Sequence, residues 1–182
     1  MSETPIERGP SGPAVGHERE APSDASQDQS AEPFEEPPRS EIPGISRQHV
    51  AAMEASDDES VWTLAGMQHV VLTTKGRRTG KEHKVALPFW RDPDGNRVVV
   101  GSFSGAPQHP AWYLNGSDRD ANSEVHVRVR EGAFWAGFDV LDGDDHERTW
   151  AGLVADRPWY VDYQSRCERR IPLVRLIERR PA

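Results

Sequence analysis

Residues 68–91 read QHVVLTTKGRRTGKEHKVALPFWR, two apolar and β-branched runs separated by a loop of glycines and cations. The runs Gln68–Thr74 and Val85–Arg91 suit half-buried strands, because branched and aromatic side chains pack well on a pleated surface. Between them, Thr73–Lys84 places Lys75, Arg77, Arg78, Lys81, His83 and Lys84 around Gly76 and Gly80, with Glu82 as its one acid. A glycine-rich cationic loop between strands suits a phosphate or carboxylate ligand. It is not a nucleotide P-loop: three residues, not four, separate its glycines, and Glu82 stands where a magnesium-holding Ser or Thr belongs. A solvated basic turn is the plain alternative, and the loop alone does not decide between them.

Working outward, Asp92–Asn96 (DPDGN) is a turn in which proline fixes one φ and glycine supplies a positive one. A third strand follows at Arg97–Ser102. Glu124–Arg130 (EVHVRVR) alternates strictly, and Ala133–Leu141 is its expected hairpin partner. Helices are expected over Asp144–Ala155 and from Pro158 to Arg166, and Ile171–Ile177 is a closing strand. Short strands at this spacing with few helices predict a mainly β (α+β) domain, a small barrel with helical caps, over residues 61–182.

Upstream, residues 44–60 read as one leading helix. Residues 1–43 are rich in Pro, Ser and acids and poor in large apolar side chains, so they are read as a disordered acidic tail. The tail carries a net charge of −7 of the chain's −8, which leaves the folded part nearly neutral. Neutrality and an acidic tail argue against a nucleic-acid partner. No apolar run reaches the ~18 residues of a membrane span. No secretory pattern is visible, and a single cysteine, Cys167, excludes an internal disulfide. A reducing cytoplasm fits, with room for a peripheral contact at the inner membrane face. Nothing in the sequence fixes the oligomeric state.

Two further clusters carry chemistry. Gly101–Asn115 (GSFSGAPQHPAWYLN) gathers Ser102, Ser104, His109, Trp112, Tyr113 and Asn115 around two glycines and two prolines. A turn of this kind exposes backbone amides to an anion or to the polar edge of a planar ring. Trp112 and Asn115 would share a helical face, while Trp112 and Tyr113 serve equally well as core aromatics. Near the C-terminus, Pro158–Gln164 (PWYVDYQ) sets Tyr160 and Tyr163 on one face, suited to a pocket wall or to the core. No nucleophile elbow is present, and the histidines lack metal-ligand spacing. The residues point to an anionic, aromatic cofactor that brings its own reactivity.

Together LTTKGRRTGK, SGAPQHPAWYLN and PWYVDYQSRCERRIPLV, in this order, resemble the deazaflavin (coenzyme F420)-dependent nitroreductase and quinone reductase family of actinobacteria, over roughly residues 61–180. The resemblance implies a split β-barrel of the FMN-binding type. It also implies coenzyme F420, an 8-hydroxy-5-deazaflavin with a phosphate and a polyglutamate tail, and a small-molecule electron acceptor: a quinone, a nitroaromatic or an activated alkene. By resemblance Arg77, Arg78 and Lys81 hold the anionic part, with His83 where relatives commonly carry Arg and Lys84 beside it as a substitute cation. Ser102 and Phe103 would line the deazaflavin, Trp112 and Asn115 match a WYxN segment, and Tyr160 and Tyr163 match tyrosines that face the acceptor. Departures at Ala86, Phe103, Gly116 and Arg157 fall where acceptor preference is set. FMN in the same fold, and a non-catalytic cofactor-binding module, are the alternatives.

Overall fold

The computed structural model describes residues 37–182. The expected acidic tail lies outside the described residues up to position 36. Its end is corrected: α1 (Ile42–Ala55) already begins at Ile42, with Pro43 in the first turn, where a missing N–H costs nothing. The single helix expected over 44–60 is likewise two. Ser56 takes extended backbone, and Asp58 caps a short α2 (Glu59–Trp62) by accepting from the Ser60 amide at 2.9 Å.

Seven strands follow: β1 (Thr63–Leu64), β2 (Met67–Lys75), β3 (Glu82–Arg91), β4 (Arg97–Val100), β5 (Val125–Val129), β6 (Gly132–Val140) and β7 (Leu173–Pro181). They pair antiparallel in the order β1-β2-β3-β4-β7-β6-β5, and β5 pairs again with β2. That last pairing closes β2 to β7 into a six-stranded barrel, with β1 attached to β2 at its edge. Between β4 and β5 lie a 3-10 turn at Phe103–Gly105 and α3 (Ala111–Gly116). Between β6 and β7 lie α4 (Gly143–Asp156) and α5 (Trp159–Ser165). The closing strand thus begins at Leu173 and runs beyond the expected Ile177.

Side-chain alternation builds three apolar layers from these strands. Val70, Leu72, Phe89, Val99, Val125, Val127, Val129, Phe134, Phe138, Val174 and Leu176 fill the barrel interior. Their neighbours on the other face, Trp90, Val98 and Leu173, pack with Leu153 of α4 and Tyr160 of α5. Val71 is covered by Val50, Met53 and Trp62 of the leading helices.

One irregularity positions the site. β4 pairs with β3 only at Phe89–Arg91, so β3 residues 82–88 have β2 as their one strand neighbour. The barrel is split there. Pro88 ends the open stretch, where a residue without an N–H forfeits no ladder bond. Within it, the Ala86 amide donates to Ser46 Oγ of α1 at 3.1 Å.

Candidate functional site

The basic loop joins β2 to β3 at one end of the barrel. It closes on itself through Gly76 N–H to Lys81 O at 2.8 Å and Gly80 N–H to Gly76 O at 2.7 Å. Two buried asparagines fix it from below. Asn115, in the last turn of α3, accepts from the Arg77 amide at 3.3 Å. Asn122 accepts from the Lys75 amide at 2.7 Å and donates to Lys75 O and Asn115 O, both at 2.9 Å. Asn115 therefore acts on the loop's backbone, and its side chain is 7% exposed.

Arg77, Arg78 and Lys81 are exposed, and among the described residues none of them pairs with an acid. Most other cations do so: Arg175, for example, bridges Asp92 at 2.7 Å and Asp145 at 2.5 Å. His83 lies against the loop, where a side chain on Gly76 would come within 2.9 Å of its Nε2. The substitution expected of Lys84 is corrected. Alternation along β3 turns it to the outer face, where it pairs with Glu54 of α1 at 2.5 Å.

The second cluster leaves β4 at Gly101, whose amide donates to Pro172 O at 2.8 Å. Phe103, Ser104 and Gly105 then take φ of 45°, 52° and 68°. Gly105 is required both by that conformation and by space, since a Cβ there would meet Tyr163 O at 2.4 Å. The turn is thus seated directly on α5. Ser102 and Phe103 are half-buried on its rim.

Among the aromatics, Trp112 turns inward and belongs to the barrel core, edge-on to Phe138 with ring centroids 6.1 Å apart. His109 faces Tyr113 at 4.8 Å and accepts from Arg169 at 3.3 Å. Its pKa is held below the ordinary histidine range by burial first and the Arg169 charge second. Tyr160 is buried against the outer face of the sheet, and burial pushes its hydroxyl's pKa up. Tyr163, edge-on to Tyr160 at 5.7 Å, is half-buried beside the turn. A strip of contacts therefore runs from Tyr163 through the Ser102–Ala106 turn, Arg169, His109, Tyr113 and α3 to Asn115 and the basic loop.

A cleft of about 440 Å³ lies elsewhere, between the start of β2, the end of β3 and the β5–β6 turn, lined by Trp62, His69, Phe89, Arg97 and Phe134 among others. None of the residues expected from sequence lines it. Sequence reasoning missed Asn122 and Arg169, each set in a polar stretch with no periodic signal.

A family described as F420H(2)-dependent quinone reductase matches residues 45–178, from α1 into β7. The chain belongs to the F420H(2)-dependent quinone reductase family. The F420H(2)-dependent quinone reductase Rv1261c of Mycobacterium tuberculosis is similar to it, 31% identical over 113 residues, covering 60% of this chain and 73% of the relative. A solved F420-H2 dependent reductase (FDR-A) is 31% identical, with a TM-score of 0.50, and covers 59% of this chain and 92% of its own. A second solved structure, described as a domain-swapped dimer, is 27% identical with a TM-score of 0.53 and covers 71% of this chain and 93% of its own.

As a member of the family, the chain is an oxidoreductase whose cofactor is coenzyme F420. The donor set fits that group: a phosphate and carboxylates call for cations, and Arg77, Arg78 and Lys81 meet no acid among the described residues. No helix among the described residues is long and apolar enough to cross a membrane.

Proposed function

We propose that this F420-dependent reductase passes a hydride to a quinone, with nitroaromatics and activated alkenes as further acceptors of the same electronic kind. The observation that carries the reading is the loop whose Arg77, Arg78 and Lys81 pair with no acid among the described residues, braced by two buried asparagines at the split end of the barrel. Bound F420 in its reduced form supplies the hydride.

The chain does the rest. Arg77, Arg78 and Lys81 hold the anionic tail, with His83 at the edge of the cluster, and the braced backbone keeps the loop that carries them in place. Ser102 and Phe103 border the planar ring, and Trp112 supports that wall from the core. Tyr163, with Tyr160 packed behind it, presents a hydroxyl that hydrogen-bonds the acceptor oxygen as negative charge builds there and then gives it a proton. Trp159 and Val161, exposed on α5 at 40% and 51%, offer an apolar approach for a lipid-soluble quinone. The setting that fits is a reducing cytoplasm, at the inner face of the membrane.

The test is titration of the full chain with oxidised F420, followed by tryptophan fluorescence, with FMN in parallel. Each of Arg77→Ala and Arg78→Ala is expected to weaken F420 binding by about tenfold or more, the worth of one charge-assisted contact. FMN binding in place of F420 would move the chain to flavin chemistry. Undiminished F420 binding by both variants would return the loop to a solvated turn.

A further inference from the structure

The turn after β4 stores its geometry in an unusual way. Ser102 is right-handed, at φ −67° and ψ −45°, and the next three residues all have positive φ. Only one of those three, Gly105, is a glycine, so Phe103 and Ser104 are held there against their own preference. A right-handed residue followed by a left-handed one turns successive amides toward a common concavity. Among the described residues the amides of Ser102, Phe103 and Ser104 meet no acceptor, whereas those of Gly105 and Ala106 close back on Ser102 O at 3.0 Å and Phe103 O at 2.9 Å.

A single side chain holds both ends of this turn. Arg169 Nη2 donates to Ser102 O at 2.7 Å, its Nε to Ala106 O at 2.8 Å, and its Nη1 to His109 Nδ1 at 3.3 Å. A planar fork with donors in three directions makes this set, and an ammonium on a flexible stem does not. Because Nδ1 accepts from a permanent cation, a neutral His109 carries its proton on Nε2.

We propose that Arg169 is the positioning residue of the site: it clamps Ser102 O, Ala106 O and His109 so that the three amides face the ligand's electron-rich edge. The proposal rests on the reading that this turn borders the deazaflavin. Arg169 touches no reacting atom. It acts through the backbone it holds.

The experiment compares the full-length wild-type chain with Arg169→Gln and Arg169→Lys in two readouts. In the first, F420 titration, Arg169→Gln is expected to raise Kd by about tenfold and Arg169→Lys by less, since it recovers one carbonyl contact. In the second, made without F420, NMR titration of His109 is expected to show its pKa rising in Arg169→Gln and staying depressed in Arg169→Lys, with the amide signals of Phe103 and Ser104 moving in both. If Arg169→Gln does not fold, Arg169→Lys decides: weakened F420 binding by a folded protein supports the clamp. Wild-type Kd in a folded variant whose amide signals have moved overturns it, because the turn's geometry then does not matter to the ligand. Unmoved amide signals overturn it equally. A wild-type chain that binds no F420 sinks the parent reading, and this one with it, whatever the NMR shows.

Discussion

Tyr160 and Tyr163 occupy the same short helix in different surroundings, and the difference assigns them different work. Tyr160 is 4% exposed, beside Arg157, which itself donates to Phe89 O at 2.9 Å. Tyr163 stands half-buried against Gly105. Tyr163→Phe is expected to lower kcat by about a hundredfold while F420 affinity holds, the lower end of what a positioned proton donor contributes. Tyr160→Phe is expected to cost about 1 kcal/mol in a urea melt instead. Turnover unchanged in Tyr163→Phe removes the proposed donor.

Another single residue, His69, sets a pH dependence: burial lowers its pKa from 6.5 to about 4. The folded state then refuses a proton that the unfolded chain accepts, so this contribution is complete above pH 6.5 and is lost as the pH falls toward 4. Urea melts across that window should lose up to about 3 kcal/mol, and His69→Gln should flatten the loss.

Among the elements, the join of α3 to the β2–β3 hairpin carries the most consequence. Asn122 makes three hydrogen bonds there from a buried position. Asn122→Ala leaves both backbone groups of Lys75 unpaired, and should cost about 2–3 kcal/mol of stability and weaken F420 binding several-fold. Thermal melts and the fluorescence titration check the two effects separately; affinity intact in a destabilised protein would mean the loop holds its shape without the brace. The sequence makes the strands readable, since period-2 alternation survives in EVHVRVR and β-branched residues mark QHVVLTT. It shows the cations and the WYLN segment too. It hides what joins them. Asn122 sits in GSDRDANSE and Arg169 in SRCERR, stretches whose composition is that of solvated loops; Lys75 lies 47 positions from Asn122, and the partners of Arg169 lie 60 to 67 positions away. The break between α1 and α2, by contrast, has a local signal that the one-helix reading passes over: Ser-Asp-Asp is a stop followed by a cap.

For the whole molecule, local rules deliver a mainly β chain with helical caps but not the split, which depends on where β4 stops pairing with β3. Nor do they deliver the closure, made by the register of Val71, Leu72 and Thr73 of β2 against Arg128, Val127 and His126 of β5. Leu72 and Val127 are 55 positions apart, and everything between them must be gathered before they can meet. Loop-closure entropy is spent before such a contact returns anything, so these pairs should form late, with refolding on the slow, roughly millisecond-to-second side for small domains. Until then the VVL run of β2 presents an apolar, unpaired edge to other chains. In stopped-flow refolding with pulsed hydrogen exchange, the β2–β3 hairpin amides should gain protection before those bridging β2 and β5, and yield should fall as protein concentration rises. Simultaneous protection of both would mean that the barrel condenses in one step. A barrel sealed by so short a seam takes its shape quickly from its hairpins and slowly from its last pairing, and in that interval aggregation competes with folding.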